Sequence, residues 1–187
     1  MDVTIRGAGI FGLSIAWQCA LRGARVQVID PNGIGAGSSG GIVGALAPHV
    51  PENWNTKKEF QFQSLVVAEP FWARIEKVSG MSSGYGRLGR IQPITDKNQL
   101  ILAHQRAENA KTLWQNKAEW RVIDNAPHFA PASTTGFWIK DTLSARLNPR
   151  LACNALAKAL RLQGVSFAGE GVDKGKTLWA TGAEDLF

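Results

Sequence analysis

The sequence predicts an α/β fold: a parallel sheet wound with helices, joined to part of a mixed α+β lobe. Three observations carry this. The opening stretch, "DVTIRGAGIFGLSIAWQCALRGARVQVID", reads as strand, glycine turn, helix, strand and acid. Residues 148–180 repeat the alternation, with an amphipathic helix, an apolar strand and a closing strand. Between them, helical apolar stripes alternate with short strands marked by proline.

In the first element, Val3 and Ile5 alternate as in a buried strand. Gly7, Ala8, Gly9, Ile10, Phe11 and Gly12 then form G-x-G-x-x-G. A helix follows with Leu13, Ala16 and Ala20 on one face and Arg22-Gly23 at its end. Arg25 to Ile29 form a second strand, closed by Asp30 and Pro31. This is the order of a βαβ dinucleotide-binding, Rossmann-like unit. Gly7 permits the tight turn, Gly9 lets a pyrophosphate approach the backbone, and Gly12 lets the helix sit close to the sheet. The helix start then offers N–H groups and a positive dipole end to phosphates. Asp30, 18 residues after Gly12, can accept hydrogen bonds from ribose hydroxyls and repels a 2′-phosphate, which disfavours NADP.

The next stretch, "PNGIGAGSSGGIVGALAPHV", is too rich in glycine for a regular element. Gly35, Gly37, Gly40, Gly41 and Gly44 suggest backbone held close to a ligand, with Ser38 and Ser39 offering hydroxyls. Ile42, Val43, Ala45 and Leu46 argue against a purely solvated loop.

These pieces, with "LNPRLACNALAKALRLQGVSF" and "LWATGA", occur in one order, and together the chain resembles the flavin-dependent amine and amino-acid oxidoreductases related to D-amino-acid oxidase, glycine oxidase and sarcosine oxidase. The resemblance implies FAD as cofactor. It implies that Gly7, Gly9 and Gly12 meet the pyrophosphate and Asp30 the adenosine ribose. Ser38 and Ser39 would lie beside the phosphates, and Gly44, Ala45 and Leu46 beside the flavin ring. Ala180-Thr181-Gly182 would mark the return of the chain to the nucleotide. The family more often carries Glu where Asp30 stands. The candidate cofactor-binding set is thus Gly7, Ala8, Gly9, Ile10, Phe11, Gly12, Asp30, Pro31, Gly37, Ser38, Ser39, Gly44, Ala45, Leu46, Val172, Ala180, Thr181 and Gly182. No residue is assigned as catalytic.

In the middle segment, Phe60, Ser64, Val67, Phe71, Ile75 and Val78 repeat as a buried helical stripe, with a kink or break expected near Glu69 because of Pro70. Gly86 to Thr95 reads as a strand with Pro93 at an edge or its end, Asn98 to Lys117 as a helix, and Phe137 to Ile139 as a short strand. Trp54, Trp72, Trp114, Trp120 and Trp138 are expected mainly as core, as part of a partial substrate or cap lobe over residues 51–144. Residues 1–50 and 145–187 would form the FAD-binding domain. Tyr85 and His49 are weaker ligand candidates.

Near the end, Asn148 to Gln163 reads as an amphipathic helix with Leu151, Ala155, Leu156, Ala159 and Leu162 inward. Val165 to Phe167 would be the next parallel strand. Only "AGEGVDKGK" separates it from a buried strand over Lys176 to Ala180 and a turn at Thr181-Gly182-Ala183. In the family a β-ribbon intervenes there, and the chain continues for about as long again. The sequence is therefore expected to be the first half of a flavoenzyme, completed by a C-terminal half or a second chain.

The composition fits a packed protein: of 187 residues, 44% are hydrophobic and 19% charged. No apolar run reaches the ~18 residues that span a bilayer. Asp2 and Arg6 interrupt any signal peptide. Cys19 and Cys153 form no C-x-x-C pair and are expected as reduced thiols of a cytoplasmic protein. The net charge of +6 is scattered, so nucleic acid is not an expected partner. His49, His104 and His128 lack ligand spacing, and no metal is expected. G-x-S-x-G is absent. The implied reaction is oxidation of a C–N bond of an amino acid or small amine to an imine. The alternatives are the oxidase domain of a tRNA-modifying enzyme, and a non-catalytic nucleotide-binding fragment or subunit.

Overall fold

The computed structural model describes residues 1–182. In chain order its elements are β1 (Asp2–Arg6), α1 (Ile10–Leu21), β2 (Arg25–Ile29), β3 (Gly44–Leu46), α2 (Thr56–Ser79), β4 (Arg90–Pro93), α3 (Lys97–Leu113), β5 (Trp120–Ile123), β6 (Trp138–Asp141), β7 (Ala145–Leu147), α4 (Pro149–Leu162), β8 (Ser166–Ala168) and β9 (Lys176–Trp179). Two compact units are distinguishable. One holds Met1–Gly44, Pro70–Tyr85 and the described residues from Leu147 onward; the other holds Ala45–Glu69 and Gly86–Arg146.

The first unit is built on a parallel sheet in the order β8-β2-β1-β9. Val3 lies opposite Val26, and Val28 opposite Phe167. Val3, Ile5, Val26 and Val28 are buried, and strand alternation puts them on one face. Helices α1 and α4 pack together. The buried residues of α4 are mostly small, Ala152, Cys153, Ala155, Ala157 and Ala159, which permits close helix approach. Asn148 caps α4 by accepting the Leu151 N–H at 3.1 Å, and Pro149 takes the first helical position.

On the opposite sheet face, polar side chains hold the crossover between β8 and β9. The buried Thr4 hydroxyl donates to the Lys174 carbonyl at 3.0 Å and accepts from its N–H at 2.7 Å. Gln27 Nε2 donates to the Val172 carbonyl at 2.8 Å. Arg6 donates to the Gly171 carbonyl at 3.1 Å and pairs with Asp173 at 2.7 Å.

In the second unit, β4, β6 and β5 form an antiparallel sheet with β6 central. Phe62, Leu65, Ala110, Trp114, Ala118, Trp120 and Leu143 make a buried cluster. Trp114 and Trp120 meet edge-to-face with centroids 6.0 Å apart. Buried Asp141 accepts the N–H groups of Leu143 and Ser144 at 3.1 and 2.7 Å and pairs with Arg90 at 3.3 Å. β3 pairs with β7.

Several sequence expectations need correction. Of the kink or break expected near Glu69, the break does not occur: Pro70 lies inside one continuous helix, α2. Proline removes only one donor, and the flanking turns keep theirs. The stripe on α2 is also only partly as expected: Ile75 is buried, but Phe60 is 76% and Val67 55% exposed, while Phe62, Leu65 and Trp72 off the stripe are buried. Apolar residues stand on more than one face of this helix, so its period alone did not choose the inward one. In α4, Leu151 and Leu162 face outward and Ala152, Cys153 and Leu160 face inward. β9 is an edge strand with Leu178 and Trp179 exposed, rather than a buried one. The strand at Gly86–Thr95 shortens to β4, because Gly89 turns the chain at φ +76°. α3 stops at Leu113, ahead of the left-handed Gln115 and Asn116. Trp54 and Trp138 are half-buried, with each indole N–H bonded, to Glu59 and to the Pro131 carbonyl. Ala183 of the expected final turn lies outside the described residues.

Candidate cofactor site

The chain leaves β1 at Gly7, which adopts φ +108° and donates its N–H to Ile29 at 2.9 Å. A Cβ on Gly7 would stand 2.2 Å from the Ala180 carbonyl oxygen, and one on Gly12 would stand 1.9 Å from that of Gly7. The chain itself therefore demands these two glycines. Gly9 differs. Its φ is −78°, and a Cβ there would meet only Ser39, with Oγ at 3.2 Å. A side chain, not backbone, is thus what stands over Gly9.

α1 begins at Ile10 with no cap from Gly9 and no acid in its first turn. Ile10 donates its N–H to Ser39 Oγ at 3.0 Å. The N–H groups of Phe11 and Gly12 have no acceptor within the helix, as at any helix start. Phe11 turns its ring to solvent. This end of α1 is electrostatically suited to an anion.

Asp30 stands one residue beyond β2. Its Oδ2 accepts the Ala8 N–H at 2.7 Å and its Oδ1 the Asn32 N–H at 2.9 Å. The carboxylate thus braces the glycine turn, and each oxygen retains acceptor capacity for a hydroxyl. Ser39 is held in turn by its loop. Gly35 donates to the Ala8 carbonyl at 2.9 Å, and Arg150 donates from its backbone to Gly41 and from its guanidinium to Gly40, each at 3.1 Å. Gly35, at φ +64°, packs on Cys153. Burial pushes the Cys153 thiol up from its ordinary value. Ala180 closes the group by donating its N–H to the Arg6 carbonyl at 2.7 Å.

Beside Asp30 lies a cleft of about 350 Å³ lined by Ala8, Val28, Pro31, Asn32, Gly33, Ile34, Arg161, Phe167, Ala168 and Gly169. A cleft of about 440 Å³ includes Asp2, Arg25 and Lys174 in its lining. It is larger, but it sits at the amino ends of the strands, whereas ligands of parallel α/β sheets bind at the carboxyl ends. The smaller cleft is therefore the candidate.

The structure gathers Gly7 to Gly12, Asp30, Ser39 and Ala180 around one helix start, with Pro31 on the cleft wall and the Thr181 nitrogen 3.0 Å from a Gly7 Cβ position. Gly37, Ser38 and Gly182 are exposed. Ile42 and Val43 are exposed as well, so their apolar character does not reflect burial in this chain. Gly44 packs on Pro149 and the Leu147 carbonyl. Ala45 and Leu46 belong to the second unit. Val172 is not on the cleft wall: its bond to Gln27 puts it across the sheet from Val28 and Phe167. Sequence reasoning missed Arg161 and Phe167. No local spacing ties them to Asp30; the pairing of β8 with β2 does.

The FAD dependent oxidoreductase family model matches residues 2–182. The chain belongs to this family. Among the curated relatives of this chain, the bifunctional protein ThiO/ThiG of a Nostoc species is 25% identical over 167 residues, covering 88% of this chain and 25% of that protein. Glycine oxidase of Geobacillus kaustophilus is 26% identical over 163 residues, covering 87% of this chain and 38% of that protein. The crystal structure of Geobacillus kaustophilus glycine oxidase superimposes with a TM-score of 0.73 at 17% identity, covering 98% of this chain and 55% of that one, a likeness of fold. The chain thus spans a quarter to about two fifths of the length of these curated relatives.

FAD is the family's cofactor, and the residues present fit its ADP portion. The lack of a side chain at Gly9, the N–H groups of Phe11 and Gly12 at the start of α1 and the Ser39 hydroxyl suit a pyrophosphate. The Asp30 carboxylate suits a ribose diol. Among the described residues, no cluster of His, Cys, Asp or Glu could hold a metal ion, and no helix is long and apolar enough to cross a membrane.

Proposed function

We propose that this chain is the cofactor-binding part of an FAD-dependent oxidoreductase that oxidises the C–N bond of an amino acid or small amine to an imine. One observation carries the reading: Asp30 and Ser39, 22 and 29 residues beyond their partners, are both hydrogen-bonded onto the same glycine turn. FAD, when bound, supplies the two-electron acceptor for the substrate carbon. The chain's own residues bind and orient it. Phe11 and Gly12 offer N–H donors to the phosphates, Gly9 admits them, and Asp30 accepts from the ribose. The glycine oxidase and ThiO relatives support an amino-acid substrate. The first unit would serve as the FAD-binding domain, the second as the substrate lobe. The free Cys19 and Cys153 support a reducing, cytoplasmic setting.

The test is flavin binding by the purified 187-residue chain. Released cofactor, identified by visible absorbance and mass, is expected to be FAD. A protein that stays colourless with added FAD and binds no ADP overturns the reading.

A further inference from the structure

We propose that Arg161 recognises the purine of the cofactor, with its guanidinium stacked on Phe167 and its open face toward the cleft beside Asp30. The inference rests on the FAD reading above. It names a contact that neither the glycine turn nor the acid supplies.

Arg161 lies in the last turn of α4, and Phe167 lies in the middle of β8. The Arg161 Cζ sits 4.7 Å from the Phe167 ring centroid. Phe167 pairs with Val28, two residues before Asp30, so the stack is fixed to the strand that carries the ribose acid. Both residues line the cleft of about 350 Å³ with Asp30. That size is at the low end for small-molecule pockets, which suits one end of a dinucleotide rather than the whole.

Arg161 makes no salt bridge among the described residues. Among the described residues, its guanidinium rests on the ring beneath it. A guanidinium is planar and stacks on aromatic faces. Phe167 restrains the long side chain on one side, and a purine would add a second flat surface on the other. Two ligand chemistries could use this cation, a base by stacking or a further phosphate by charge. Asp30 decides between them. Its carboxylate shares the cleft and repels a phosphate there, while leaving a neutral base unaffected. Ile34 adds an apolar wall suited to a base edge.

The experiment is calorimetric titration of the intact chain with ADP, FAD and FMN, for wild type, Arg161→Ala, Arg161→Lys and Phe167→Leu. FAD and ADP carry the purine and FMN does not. Arg161→Ala is expected to weaken ADP and FAD about fivefold and to leave FMN unchanged. Arg161→Lys should lose nearly as much, because it keeps the charge but not the plane. Phe167→Leu should fall between them, with thermal melting reporting whether its fold survives. ADP binding unchanged in Arg161→Ala overturns the inference while leaving the cofactor reading intact. Full binding by Arg161→Lys also overturns it, since charge alone would then suffice. Wild-type protein that binds neither ADP nor FAD overturns both.

Discussion

Gly7 and Gly9 share a motif but answer to different constraints. Gly7 sits at φ +108° with the Ala180 carbonyl 2.2 Å from its Cβ position. Gly7→Ala is expected to cost more than about 3 kcal/mol or to prevent folding, as read by denaturant unfolding. Gly9 at φ −78° meets only a serine hydroxyl. Gly9→Ala should keep stability within about 1 kcal/mol yet weaken ADP at least about tenfold, or about 1.4 kcal/mol. Similar losses in both measurements for the two variants would contradict this division. Asp30 joins both roles. Asp30→Ala leaves the Ala8 and Asn32 N–H groups without their acceptor. It should lower the stability of cofactor-free protein by about 1–2 kcal/mol as well as weakening ADP. An unaltered cofactor-free melt would show that the acid acts on ligand alone. At this scale the sequence was informative wherever chemistry follows from residue type: the glycines, Asp30 and Ser39. The Ala8–Asp30 bond was not legible, because it depends on how far a two-carbon acid reaches back once β1 and β2 are paired. Arg161 was not legible either, since only the placement of β8 brings it to the cleft.

Among the elements, the helices show where periodicity suffices. α1 and α4 were legible because each has flanking punctuation: glycine before and after α1, and Asn148-Pro149 before α4. α2 carries apolar residues around its circumference, and its buried set combines Phe62, Leu65 and Trp72 off the expected stripe with Ile75 on it. Its C-terminal end is fixed by a polar device. Glu76 accepts the Ser83 N–H and hydroxyl, each at 2.7 Å. The Ser83 backbone bond, then its hydroxyl, hold the Glu76 carboxyl below the ordinary value of 4.5. Because the folded value is lowered, the stabilisation is complete above the unfolded value and is lost as pH falls through the folded one. Glu76→Gln should therefore cost about 1 kcal/mol at neutral pH, discounted for partial exposure. The gap from wild type should begin to shrink near pH 4.5 and close at lower pH. Thermal melts of both proteins from pH 7 to pH 3 would show it, and a gap independent of pH would place the effect in packing instead.

For the molecule as a whole, the features that can be assigned serve binding. On the proposed reading, the glycine turn, Ser39, Asp30, Ala180 and the Arg161 cleft would address an adenine dinucleotide, and all belong to the first unit. The short crossover at Gly169 to Gly175 does not weaken this unit: Thr4, Arg6 and Gln27 bind it along the sheet. No described residue has been placed against a substrate carbon or its leaving proton. Binding and turnover are thus expected to separate in this chain. Saturating ADP, at about a hundred times its Kd, should stabilise the protein by about 2.7 kcal/mol, and FMN at equal concentration by much less. Amine oxidation should stay far below the median enzyme rate, about 10 per second, because catalysis by a flavoprotein needs the substrate held against the cofactor. Glycine and a panel of D- and L-amino acids, followed by hydrogen peroxide release and by dye reduction, would measure it. Turnover near that rate from the chain alone would mean that its own residues suffice to hold a substrate against the cofactor. Strong ADP binding with negligible turnover would show that this chain binds the cofactor without holding a substrate against it.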